Sequence, residues 1–450
     1  MKKLDNITHF YFIGIGGIGM SALARYFNSQ GKSVAGYDKT PSRLTSELQA
    51  EGIAIDFNDR VDAIPTAYLS KETTLIVYTP AIPDTHMQLG YYLQGQFEVI
   101  KRAQLLGWIT KETTCLAVAG THGKTTTSAI LGHLLAACDL PVTAFLGGIC
   151  ENYDSNIIIN GSEVTVVEAD EFDRSFLNLS PDIACITSMD ADHLDIYNTH
   201  EALQESFAQF AALLPKDGTL LKKNGLAIEG QSVGIEDDSV FRAENVRILD
   251  GGYLFDLCTP KVQLKDMQFF LPGHHNLLNA VTALGMAITL GSPTDCLPKA
   301  LHDFKGVRRR FSYRIKTKNR VVIDDYAHHP SEINAVHQAV SEFYPGQKKL
   351  VVFQPHLFSR TRDFGPEFAA SLAAFDQVLL LDIYPARETP IKGIDSTWLL
   401  AQIDHKNKQL IPMSAIAEGI KKSDCPIVLL LGAGDIGEAV VTIVNQLHEE

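Results

Sequence analysis

The sequence predicts an α/β protein of three domains with mainly parallel sheets, and three observations carry that expectation. Short β-rich apolar runs alternate with helical patterns along most of the chain, the mark of strands joined by crossover helices. The alternation separates into three systems, each opening on a strand. Finally, 450 residues are too many for one ordinary core, while a 45% hydrophobic content is enough to fill several.

The first system, placed at residues 1–108, starts with the run His9 to Ile13, continues through Ser33 to Tyr37 and Thr74 to Tyr78, and ends near Leu106-Gly107. The second, 109–305, opens on Cys115 to Ala119 and includes the strands Val164 to Glu168 and Ile183 to Thr187. It closes after a helical stretch from Asn276 to Thr289. The third, 306–450, follows Gly306-Val307-Arg308-Arg309-Arg310, with strands at Arg320 to Asp324, Lys349 to Gln354, Gln377 to Asp382 and Ile427 to Leu431. No low-complexity linker, fixed-period repeat or coiled-coil heptad interrupts this order.

Charge and composition exclude several classes. A net charge of −14 opposes attraction to nucleic acid or an anionic membrane, so anionic substrates must be held by local basic groups and backbone dipoles. The expected partners are small molecules. Seven scattered cysteines without C-x-x-C pairs predict buried free thiols rather than a zinc site or disulfide framework. No apolar run approaches the roughly 20 residues that span a bilayer, and the N-terminus runs directly into a strand-like segment. A cytoplasmic location is expected, as a monomer or homodimer.

The segment Gly120-Thr121-His122-Gly123-Lys124-Thr125-Thr126-Thr127 follows an apolar strand and leads into a helix. Small residues let successive backbone N–H groups curl around phosphate, Lys124 neutralises the outer phosphates, and the Thr125 hydroxyl reaches Mg²⁺. The ordinary pattern places its first glycine where this chain has Val118, so the loop is a shorter subtype. Its metal partner should be a carboxylate ending a neighbouring strand, and Glu168 supplies one. Asp170, Glu171 and Asp173 read equally as a solvated acidic loop or as functional groups. Beyond the next strand, in Asp190 to Asp195, His193 is a candidate second-metal ligand or substrate contact, and Asp192 and Asp195 are candidate helix caps.

In the first system Gly14, Gly16 and Gly19 form G-x-G-x-x-G directly after a strand, with Gly17 between them and Asp38 after the next strand. NAD with Asp38 on a ribose hydroxyl is one reading, and a ligand-free tight turn another. A third is the diphosphate of a UDP-sugar on the same helix N-terminus. The third system clusters Arg308-Arg309-Arg310, Asp325-Tyr326-Ala327-His328-His329 and His356-Leu357-Phe358-Ser359-Arg360 beyond strand ends, suited to an anionic group such as an amino-acid carboxylate. Gly432-Ala433-Gly434-Asp435 reads as a tight turn near the same edge.

Taken in order, the glycine motif at 14–21, the loop at 120–127, Glu168-Ala-Asp-Glu, Ala191-Asp192-His193, Pro272-Gly-His-His-Asn276-Leu-Leu-Asn279, Asp325-Tyr-Ala-His-His-Pro and Gly432-Ala-Gly-Asp-Ile closely resemble the Mur ligase family. The match spans almost the whole chain. The resemblance implies a Rossmann-like N-terminal domain for the UDP-sugar, a central P-loop ATPase domain and a C-terminal Rossmann-like α/β domain that brings the amino acid. Its closest branch implies an ATP-dependent ligase of peptidoglycan precursor synthesis joining L-alanine to the lactyl carboxylate of UDP-N-acetylmuramate. The carboxylate takes the ATP γ-phosphate to give an acyl phosphate and ADP, and the alanine amine then displaces phosphate.

By the same resemblance, ATP is held by Gly120, Thr121, Gly123, Lys124, Thr125, Thr126, Asn276, Asn279, Arg310 and Asp325. The UDP-sugar is held by Gly14, Gly16, Gly17, Gly19, Asp38, Thr79 and His122. Tyr326, His328, His356 and Arg360 line the alanine site, and Thr125, Glu168 and His193 hold Mg²⁺ (or Mn²⁺). Lys124, His193 and Arg310 are the catalytic set. Residues 201–210 contain no lysine, so the carbamylated lysine of other family members is not expected. The chain departs from common family patterns at His274-His275-Asn276, Thr79-Pro80-Ala81 and Leu357. Competing readings are a recycling ligase that attaches a tripeptide to the same UDP-sugar, an NAD-dependent dehydrogenase, and a nucleotide sensor without catalysis.

Overall fold

In the computed structural model, residues 4, 6–190, 199–249, 251–386 and 388–448 are described. Three sheets organise the α/β chain, as the alternation of strand and helix patterns predicts. The first holds β1 (His9–Ile13), β2 (Ser33–Tyr37), β3 (Ala54–Asp56), β4 (Thr74–Tyr78) and β5 (Glu98–Lys101) in the order β3-β2-β1-β4-β5. All four pairings are parallel. The central strand is apolar on both faces because helices cover both. Phe10 and Phe12 join one core, where Phe10 stacks on Phe27 at 3.9 Å, while Tyr11 and Ile13 join the core on the opposite face.

The second sheet has ten strands: β6 (Thr114–Ala119), β7 (Val142–Cys150), β8 (Ser155–Ile159), β9 (Val164–Glu168), β10 (Ile183–Ile186), β11 (Thr219–Lys223), β12 (Gln231–Ile235), β13 (Phe241–Leu249), β14 (Gly252–Cys258) and β15 (Gln263–Phe269). Their order is β15-β14-β13-β12-β11-β10-β6-β9-β7-β8. Strand β6 sits between β10 and β9, parallel to both. Leu116 to Ala119 are wholly buried there, so the loop that follows is carried by the middle of the sheet. Residues 219–269 form strands that the sequence reading overlooked. They alternate polar with apolar positions, as in the half-exposed run of β13, and so lack the continuous apolar signal of β6.

The third sheet runs β16 (Ser312–Lys316), β17 (Val321–Asp325), β21 (Ile427–Leu431), β18 (Lys349–Phe353), β19 (Gln377–Leu380) and β20 (Lys408–Leu410). Only its β16–β17 edge is antiparallel. The chain divides into two compact units. One comprises residues 1–247, 254–269 and 278–305; the other comprises 248–253, 270–277 and 306–450.

The expectation of free cysteines throughout is corrected at one pair. Cys138, which ends the helix Lys124–Ala137, is disulfide-bonded to Cys296, with Cα atoms 5.7 Å apart across 158 residues of sequence. Local spacing cannot reveal such a pairing, because only the tertiary fold brings the two thiols together. Cys115, Cys150, Cys185, Cys258 and Cys425 are free and buried. Among the described residues, no helix is long and apolar enough to cross a membrane.

Candidate functional site

Among the helices that begin without a side-chain cap, two follow a glycine loop at the end of an interior strand. Helix Ile18–Ser29 starts after Gly17, and helix Lys124–Ala137 after Gly123, which has φ +84°. Elsewhere Ser42, Thr199 and Asp395 cap helix starts with an oxygen. An uncapped N-terminus leaves backbone N–H groups directed at whatever approaches, and the dipole favours an anion.

The loop after β6 is held open from below. Its Gly120 adopts φ +130°, and a Cβ there would lie 2.2 Å from the Thr187 hydroxyl, so only glycine fits. Ser188 supports the next residues: its Oγ accepts from the His122 backbone N–H at 2.7 Å and shares a hydrogen bond with the Thr121 hydroxyl at 2.9 Å. Asn279 packs against Gly123, its Oδ1 2.6 Å from where a Cβ would stand. The Asn276 amide donates instead to the Pro272 carbonyl at 2.7 Å.

The cation and the first hydroxyl of the helix are already matched. The Thr125 hydroxyl donates to the Glu168 carboxylate at 2.9–3.0 Å, and Glu168 also accepts from the Gly147 N–H at 2.9 Å. Lys124 Nζ donates to both Glu171 oxygens at 2.8 and 2.9 Å and to the Gly120 carbonyl at 2.7 Å. Burial alone would lower the Lys124 pKa. The carboxylates of Glu171, Glu168 and Asp170 outweigh it and raise the value above that of an ordinary lysine. The solvated-loop reading fails for Glu171, whose side chain is wholly buried. Thr126 is buried one position further along the helix. His122 Nε2 stands 3.8 Å from Asp190. His193, with Asp192 and Asp195, lies outside the described residues.

A cleft of about 300 Å³ lies beside the first glycine loop, lined by Gly17, Gly19, Thr79, Arg102, Glu168 and Asp170 among others, and so reaches the carboxylate that holds the Thr125 hydroxyl. Its glycine side is shaped by close approach: a Cβ on Gly14 would meet Thr79 at 2.7 Å, and one on Gly19 would meet the Arg102 guanidinium at 2.8 Å. Asp38 accepts from the Gly16 N–H at 2.7 Å and from the Thr40 N–H at 3.2 Å, so its carboxylate ties the loop to the end of β2. Arg102 was missed by the sequence reading. It follows β5, a strand too short and too polar to register, yet it brings a guanidinium within 4.0 Å of Asp170. The first and second sheets are further pinned by Asn156, whose amide donates to the Ile18 carbonyl and the Ser21 hydroxyl and whose oxygen accepts from Arg25.

In the other unit, the aromatic-histidine motifs beyond β17 and β18 come together. His328 Nδ1–H donates to the Tyr326 carbonyl at 2.9 Å, and the His328 and His356 rings lie 6.1 Å apart. His356 stacks with Tyr384 and accepts from Arg360 at 3.4 Å. Burial lowers the His328 pKa, with Arg360 and Arg310 adding to the effect against the opposing carboxylate of Glu332. Arg309 and Arg310 both lie over the Tyr326 ring, at 5.1 and 5.2 Å. Asp325 accepts from the Phe311 and Ala327 N–H groups, and burial pushes its pKa up to about 6 although Arg310 opposes the shift. Tyr384 is a further member that sequence reasoning overlooked; it lies on the loop after β19, without a motif of its own.

These features have counterparts in known proteins. Residues 9–114 match the description "Mur ligase family, catalytic domain", 118–287 match "Mur ligase middle domain" and 309–434 match "Mur ligase, glutamate ligase domain". A UDP-N-acetylmuramate--L-alanine ligase of Christiangramia forsetii is 59% identical over the full length of both chains. One from Parabacteroides distasonis is 46% identical over 99% of each. Among solved structures, a UDP-N-acetylmuramate-alanine ligase of Thermotoga maritima superposes with a TM-score of 0.82 at 26% identity over 98% of each chain. A murein peptide ligase of Psychrobacter arcticus shares the fold, with a TM-score of 0.68 at 19% identity over 98% of this chain and 99% of that one. Three consecutive domain matches and near-full-length identity of this degree place the chain in the Mur ligase family.

Proposed function

We propose that this protein is an ATP-dependent ligase that joins L-alanine to the lactyl carboxylate of UDP-N-acetylmuramate. The observation that carries the reading is the cleft in which the glycine loop of one sheet faces Glu168, the carboxylate bonded to Thr125 of the phosphate loop. An acceptor anchored by its diphosphate at Gly14, Gly16, Gly17 and Gly19 would present its carboxylate beside the phosphate loop.

Within that cleft the chemistry needs orientation and charge neutralisation more than a nucleophilic side chain. Gly120, Thr121, Gly123, Thr125 and Thr126 cradle the ATP phosphates with backbone N–H groups, and Lys124 neutralises the β,γ-oxygens. Thr125 and Glu168 offer only hard oxygen donors and suit Mg²⁺ (or Mn²⁺), which when bound would add positive charge to the phosphates. Attack of the lactyl carboxylate on the γ-phosphorus breaks the bond to ADP and leaves an acyl phosphate. The alanine amine then adds to the acyl carbon and phosphate departs. His193 is assigned to a second metal or the acceptor. Asn276, Asn279, Arg310 and Asp325 are assigned to the nucleotide, and Asp38, Thr79 and His122 to the UDP-sugar. Tyr326, His328, His356 and Arg360 are assigned to alanine, where the guanidinium pairs with its carboxylate.

The NAD reading leaves the loop at 120–127, with its Lys124, Thr125 and Glu168, without a role. The tripeptide-ligase reading draws only on a fold-level likeness. Mass spectrometry of a reaction containing UDP-N-acetylmuramate, ATP and L-alanine tests the proposal. One alanine added per ADP formed supports it; a product only with tripeptide would transfer the chain to the recycling activity.

A further inference from the structure

The phosphate loop carries its own anion. Lys124 Nζ is within 2.9 Å of both oxygens of Glu171, whose side chain has no solvent exposure, while the Lys124 side chain retains 13%. The lysine is therefore the accessible partner of a buried pair. Two carboxylates three residues apart divide the work: Glu168 takes the Thr125 hydroxyl and the Gly147 N–H, and Glu171 takes the ammonium. The short helical turn Phe172–Asn178 fixes Glu171 from behind, with the Arg174 N–H donating to its carbonyl at 3.0 Å. A buried carboxylate gives up an ion pair at a desolvation cost, which opposes transfer of the ammonium to another anion.

We propose that Glu171 is a positioning residue that acts through Lys124, an internal counter-anion that holds the ammonium at the loop and competes with the ATP phosphates for it. This rests on the reading of residues 120–127 as the ATP site. The competition sets the nucleotide affinity below what the loop and its lysine would reach alone, and it keeps the lysine oriented when no nucleotide is bound. No bond is made or broken in this exchange; one carboxylate gives up an ion pair and the phosphate oxygens take it.

The test is the dissociation constant of a non-hydrolysable ATP analogue with Mg²⁺, measured by titration calorimetry on the full chain. Glu171→Gln keeps the side-chain size and removes the charge, and should tighten binding roughly tenfold. Glu171→Asp, which withdraws the carboxylate by one methylene, should fall between Gln and wild type. The effect must vanish when Lys124 is already Ala, a coupling that a purely structural role would not produce. In turnover, KM for ATP should fall without a rise in kcat. Unchanged or weaker binding by Glu171→Gln, or the same tightening in the Lys124→Ala background, overturns the proposal. If Glu171→Gln does not fold, the comparison of Glu171→Asp with wild type decides in the same way. Failure of wild type to bind the analogue would instead remove the ATP-site reading beneath it.

Discussion

The two glycine loops of the first unit use one backbone device with opposite charge arrangements. Each follows an interior strand with a parallel neighbour on either side and opens a helix without a side-chain cap. The loop at 120–127 contains its cation, Lys124, and keeps Glu171 buried beside it. The loop at 14–19 contains no cation. Its acid, Asp38, is spent on the Gly16 N–H, and positive charge arrives from outside as Arg102. The difference teaches what each loop can hold. A diphosphate that is only anchored needs backbone donors and one flanking guanidinium, whereas a triphosphate that must be cleaved needs a cation inside the loop.

The largest expected effect comes from removing the internal cation. Lys124→Ala should lower kcat by about 10³-fold or more, read as phosphate release. It should also lower the melting temperature, because Glu171 stays buried without this ion pair; breaking such a pair costs about 3–5 kcal/mol. Adding Glu171→Gln should restore much of the melting temperature and none of the turnover. Recovery of turnover would break the comparison. Next, Glu168→Gln should raise the Mg²⁺ concentration for half-maximal rate by about 10-fold to 100-fold, and an unchanged metal requirement would remove Glu168 from the metal site.

The external cation should matter less and differently. Arg102→Gln should raise KM for UDP-N-acetylmuramate about tenfold while leaving KM for ATP unaltered, since a charge-assisted contact is worth about 1.5–3 kcal/mol. Equal shifts in both constants would show that the two loops are not separate binding sites. The smallest effects lie within the first loop. A Cβ on Gly16 would meet Asp38 and Thr45 at 2.8 Å, so Gly16→Ala should cost about 1–3 kcal/mol of stability. Gly17 has no neighbour closer than 3.5 Å, and Gly17→Ala should stay within about 0.5 kcal/mol. Thermal unfolding of the pair separates steric need from mere presence of a glycine.

What the sequence makes legible here is whatever a continuous local signal announces. Strands β6, β9 and β21 are rich in apolar and β-branched residues, and each ends at a residue or turn of the candidate sites. The gathering of Tyr326, His328, His356 and Arg360 was likewise foreseeable, because parallel strands deliver their following loops to one sheet edge. Arg102 was not legible: β5 is short and carries Glu98 and Lys101, so nothing local marks the position. Nor was the Glu171 ion pair, since a run of acids reads as solvated until its neighbours bury it. The Cys138–Cys296 bond shares that cause, being a contact between distant segments.

The central claim is that an acceptor held at the first loop is activated by ATP held at the second and passed to L-alanine. Its most direct test is phosphate release by the wild-type chain with ATP and Mg²⁺, with UDP-N-acetylmuramate and a panel of amino acids and the tripeptide supplied singly and together. Release is expected only when UDP-N-acetylmuramate and L-alanine are both present, with one phosphate per amide formed. Release that ignores UDP-N-acetylmuramate, or that requires the tripeptide in place of L-alanine, would contradict it.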